Sequence, residues 1–173
     1  DKLYRIIYII YYLTTFNSKK IGDTIVDNNI HKELIKIFPF CIIETSSQYN
    51  ITKEEKEVYK NLAILILKIF GSLCSFESDG LLTQKIIDAG IGSFYQKILF
   101  SNDLTIIKNV AFCMSNICSG FFGQISSLID SGALTELINV GINVYDALNK
   151  KFNLEEEHIT KLTEAFRAMN YVF

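Results

Sequence analysis

Two stretches of the chain, KIIDAGIGSFYQKIL at 85–99 and SLIDSGALTELINVG at 127–141, align without a gap. Asp88 falls on Asp130 and Gly90 on Gly132, an offset of 42 residues. A third copy, TIVDNNIHKELIKIF at 24–38, carries Asp27 and Asn29 at those positions. Such a repeat constrains the fold strongly, because each unit is too small to bury its own apolar face and must stack on its neighbours. Each copy reads as a short helix, a turn, then a longer helix. Gly and Asn stand at the turn because they tolerate left-handed backbone angles. A single proline, Pro39, leaves the rest of the chain free for long helices.

A third helix follows each pair. From Ile106 to Ile117, the residues Ile106, Val110, Cys113, Met114 and Ile117 share one stripe at 100° per residue. Lys108, Phe112, Ser115, Asn116 and Ser119 fall on the other side. In NLAILILKIFGSLCS the buried stripe is Leu62, Ile66, Ile69, Phe70 and Leu73, with Lys68 and Ser72 outward. In YIIYYLTTF it is Ile9, Tyr12, Leu13 and Phe16, with Tyr11 and Thr15 outward. In EAFRAMNYV it is Ala165, Ala168, Met169 and Val172, with Arg167 and Tyr171 outward. Phe112 is the anomaly, a large aromatic on a polar side.

The chain therefore reads as a single repeat domain over 1–173, with a partial unit at 2–16 and repeats at 18–75, 80–119 and 122–173, about three and a third in all. This organisation is expected of a piece of a longer array. The link from turn to outward position lengthens from 22 residues (Gly90 to Phe112) to 39 (Asn29 to Lys68) and 35 (Gly132 to Arg167). The surplus is polar, ETSSQYNITKEEKE and NKKFNLEEEH, and reads as inserted loops at 45–58 and 148–158.

Composition narrows the function. Apolar residues make up 49% of the 173, enough for a sizeable core. A net charge of −2 gives no footprint for nucleic acid or an anionic membrane. The apolar runs IIYIIYYL and LAILILKIF are too short to span a bilayer. Cys41, Cys74, Cys113 and Cys118 form no Cys-x-x-Cys pair, and His31 and His158 are the only histidines, both in polar segments where a surface position is expected. Neither a metal site nor a cofactor is expected, and apolar, unpaired cysteines fit the cytoplasm or nucleus. Phosphate loops and nucleophile elbows are absent, so no enzyme is expected.

The IDSGAL turn resembles the armadillo repeat, and VAFCMSNICSG followed by QISSLIDSGALTELI is most similar to importin-alpha. The resemblance implies an all-α, right-handed armadillo-type superhelix, an α-solenoid of three-helix repeats. It also implies a non-catalytic adaptor that holds an extended protein or peptide segment in a concave groove lined by third helices, with nuclear import as the role. In that family a Trp and an Asn four residues apart repeat along the groove. Here the matching pairs are Tyr11 with Thr15, Lys68 with Ser72, Phe112 with Asn116, and Arg167 with Tyr171. Only Phe112 and Asn116 keep the aromatic–amide pattern, and the chain has no Trp. Lys68 and Arg167 favour an acidic or mixed segment over a basic one. An importin-beta-like partner is implied only if the full protein has a basic arm. The alternative is an armadillo scaffold without a transport role, binding a folded partner or stabilising an assembly.

Overall fold

The computed structural model describes residues 2–16, 18–43, 52–75, 80–100 and 103–149. Among them the regular structure is entirely helical. The helices are α1 (Lys2–Thr14), α2 (Lys19–Asp27), α3 (Ile30–Ile43), α4 (Lys53–Leu73), α5 (Leu81–Asp88), α6 (Ile91–Leu99), α7 (Leu104–Cys118), α8 (Phe122–Asp130) and α9 (Ala133–Asn149).

The three expected turns are present, and each has the backbone angle that its residue type permits. Asn29 takes φ 56°, Gly90 φ 91° and Gly132 φ 77°. They join α2 to α3, α5 to α6 and α8 to α9. The third helices start on side-chain caps. Thr52 accepts from the Glu55 amide at 3.2 Å while Glu55 accepts from the Thr52 amide at 2.9 Å, a reciprocal capping box. Asp103 Oδ1 accepts from the amides of Thr105 (2.9 Å) and Ile106 (3.2 Å) and so fixes the start of α7.

The chain divides into two compact units between Ala89 and Gly90. In the first, α4 is the central helix and packs against α1, α3 and α5, while α2 joins α3 and α5. Leu62, Ile66, Ile69, Phe70 and Leu73 of α4 are fully buried, as their spacing predicts. In the second unit α6 packs on α7 and α9, and α8 joins α7 and α9. Ile106, Val110, Cys113, Met114 and Ile117 of α7 are buried, again in the expected register.

Four expectations need correction. The apolar stripe of α1 is exposed: Ile9, Tyr12, Leu13 and Phe16 face solvent, and Ile7 and Thr14 on the opposite side make the buried contact. Ser115 is buried rather than outward, its Oγ donating to the Phe112 carbonyl at 2.8 Å. That local bond satisfies the hydroxyl and lets α7 accept Ser115 within its packed surface. His31 is buried, only 2% exposed, because the turn at Asn29 folds the start of α3 inward. Finally, residues 53–58 of the supposed loop 45–58 belong to α4, and 148 and 149 end α9. Apart from Thr52, the rest of both inserts lies outside the described residues.

Candidate functional site

Of the eight outward positions, six fall within described residues. Arg167 and Tyr171 lie outside them.

In the first unit, α1 and α4 lie against each other and bring two of these positions together. Lys68 is exposed on α4, and its Nζ stands 5.7 Å from the centre of the Tyr11 ring on α1. This is cation–π range. Thr15 is exposed one turn beyond Tyr11, its Oγ1 donating to the Tyr12 carbonyl at 2.6 Å. Ser72 is half-buried one turn beyond Lys68. Sequence reasoning missed the continuation of this surface. Tyr8 stacks on Tyr4 at 6.4 Å between ring centres and meets Tyr11 edge-on, also at 6.4 Å. The signal was legible: tyrosines at 4, 8 and 11 follow the i, i+4, i+7 spacing of one helix side.

In the second unit, Phe112 is 38% exposed although α7 is buried along most of its length. Asn116 is half-buried one turn further on the same side. Thr105, Lys108 and Asn109 extend this strip toward the start of α7, all half-buried. Asn109 Nδ2 donates to the Thr105 carbonyl at 2.8 Å, which holds its amide along the helix. The spacing of four places Phe112 and Asn116 one above the other, an aromatic face beside an amide that can both donate and accept.

The described cysteines lie in the interior. Cys41, Cys74, Cys113 and Cys118 are buried free thiols. Burial pushes the Cys118 thiol up to about 11, so it is no nucleophile at neutral pH. Among the described residues no group of three His, Cys, Asp or Glu side chains could hold a metal ion. Also among them, no helix is long and apolar enough to cross a membrane.

No protein-family model and no curated protein sequence matches the chain. Solved structures do. A designed armadillo repeat protein in complex with the peptide (KR)4 is similar at a TM-score of 0.64 and 21% identity, over 94% of this chain and 56% of that one. A second designed armadillo repeat protein gives 0.65 and 20%, over 96% and 57%. A computationally designed armadillo repeat protein for modular peptide recognition gives 0.63 and 18%, over 94% and 56%. The chain thus spans little more than half the length of these structures. Identities this low establish the fold alone, and that fold is an all-α armadillo-type solenoid.

Proposed function

We propose that the chain is a non-catalytic adaptor that binds an extended protein or peptide segment along the outward side of its third helices. The observation that carries this reading is Phe112, a large aromatic held 38% exposed on a helix whose other large apolar side chains, apart from half-buried Leu104 at its start, are buried. With Asn116 one turn away, it offers a ring to cover an alkyl stem and an amide for a peptide backbone. The (KR)4 peptide of one structural neighbour and the peptide-recognition design of another support a peptide as the ligand class.

The chemistry of this chain's own surface favours a different peptide. Lys68 stands over Tyr11, so a basic side chain arriving there meets a like charge. An acidic or mixed segment pairs with Lys68 instead. One exposed ion pair contributes only about 0.2–1 kcal/mol, so the preference is modest and salt-sensitive. The finer reading, a nuclear import receptor acting between cytoplasm and nucleus, rests on the likeness of AFCMSNI to importin-alpha alone.

Titration of labelled acidic, mixed and basic peptides tests these readings by fluorescence anisotropy. Binding of the acidic or mixed peptide, weakened by Lys68→Glu or by Asn116→Ala, supports the adaptor. Binding of the basic peptide alone returns the ligand to import cargo. If no peptide binds, the scaffold that holds a folded partner replaces the adaptor.

A further inference from the structure

The turn of one repeat meets the next repeat, and the two described junctions differ at matched positions. In the second unit Gly92 of α6 stands against Ser131, too close to admit a methyl group. In the repeat register His31 takes the place of Gly92, and Ala89 that of Ser131. There the first unit has a cleft of about 350 Å³ that both residues line. This volume falls within the range of small-molecule sites, about 300–1,000 Å³. All its lining residues belong to α2, α3, α5 and the turns that follow α2 and α5, so the cleft is separate from the outward side of α1 and α4.

His31 is the residue that points to a ligand. It is 2% exposed, and its Nδ1 is buried with no hydrogen-bond partner. The bond to the Ile25 carbonyl uses the other ring N–H, so in the neutral ring Nδ1 is an acceptor that lacks a donor. Buried polar groups are nearly always paired, because an unmade bond leaves their desolvation uncompensated. The rest of the cleft limits what brings the donor. Its charges balance, the carboxylates of Asp27 and Asp88 against the ammonium groups of Lys32 and Lys85. Asp27 and Lys85 already pair at 3.0 Å. Asp88 accepts from Gln84 Nε2 through Oδ1 at 2.9 Å, which leaves its other oxygen to a ligand. Lys32 is exposed and has no anionic partner among the described residues. A simple cation would meet Lys32 and a simple anion Asp88, in each case a like charge. His31, Asp27 and Asp88 form no group that could hold a metal ion. The molecule that suits the cleft carries both charges.

We propose that this cleft binds a small zwitterion of the amino-acid type. Its ammonium donates to His31 Nδ1 and Asp88, its carboxylate lies on Lys32, and its short carbon skeleton rests against Val26 and Ala89. Lys32 stands on an exposed, flexible four-carbon stem, so it can swing to admit the ligand and return to the carboxylate. A water molecule at Nδ1 would satisfy the ring but leave the ammonium of Lys32 unpaired.

The test is an NMR titration of the full chain with alanine, read at the ring protons of His31. The chain has only two histidines, so the variant His158→Gln assigns the signals. Acetate and ethylammonium, each carrying one of the two charges, are the controls. A saturable shift with alanine is expected, with each control binding at least about tenfold more weakly. Lys32→Gln and Asp88→Asn should each weaken alanine binding by about tenfold. Both residues are exposed, so the variants should keep the wild-type circular dichroism and melt. A flat alanine titration overturns the proposal and leaves Nδ1 to a water molecule. Acetate or ethylammonium binding as tightly as alanine overturns it too, since the ligand is then a simple ion. So does unchanged alanine affinity in either variant.

Discussion

Gly92 on α6 meets Ser131, the residue that ends α8, so closely that a methyl group on Gly92 would lie 2.6 Å from Ser131 Oγ and 2.8 Å from its Cβ. Ser131 cannot swing its Cβ aside without moving the backbone. Its hydroxyl is also held by the Leu128 carbonyl at 3.0 Å. Overpacking of this kind costs about 1–3 kcal/mol, against a gain of about 1 kcal/mol in helix propensity for Gly→Ala. Gly92→Ala should therefore destabilise the fold by about 1 kcal/mol, measured by urea unfolding. Adding Ser131→Gly, which removes the clashing atoms, should recover the steric part of the loss. A Gly92→Ala variant more stable than wild type would show that the contact is loose.

The register of α7 can be tested by one substitution made at two neighbouring sites. Val110 is fully buried and Phe112 is 38% exposed. Val110→Asp buries a carboxylate without a partner and should cost about 4 kcal/mol or more. Phe112→Asp should cost about 1 kcal/mol and act mainly on peptide affinity. Equal losses in a thermal melt would mean that the helix presents another face.

His31 should couple stability to pH. Burial lowers its pKa from 6.5, with Lys32 and Lys85 acting in the same direction, while a hydrogen bond to the Ile25 carbonyl opposes them. Asp27 and Asp88 line the same cleft, and Asp27 pairs with Lys85 at 3.0 Å. A folded-state value below the unfolded one means that the unfolded chain binds more protons in that window. Stability should then be full above pH 6.5 and fall as pH drops through the lowered folded value. His31→Gln should flatten the slope of unfolding free energy between pH 7 and pH 5. An unchanged slope would show that His31 is already protonated or solvated in the fold.

The four thiols report the integrity of the core. All are buried, and burial holds the Cys118 thiol at about 11. A thiol reagent at neutral pH should label them only as the chain unfolds, with all four titrating in denaturant. Fast labelling of Cys113 or Cys118 under native conditions would place the α7 stripe at the surface.

Features that depend on neighbours along the chain could be read from residue order alone. The turns at Asn29, Gly90 and Gly132 were legible because left-handed backbone angles select Gly and Asn. The stripes of α4 and α7 were legible because a helix repeats every 3.6 residues, and both helices have neighbours to cover them. Whether a given apolar stripe is covered depends instead on which helices pack against it. Periodicity marked Ile9 and Leu13 as one face of α1, yet burial requires another element against that face, and α1 turns Ile7 and Thr14 to its neighbours. The same limit hid His31, which sits in a polar stretch but is buried by the fold. It also hid the approach of Lys68 to Tyr11, residues 57 positions apart that meet only because α1 packs on α4.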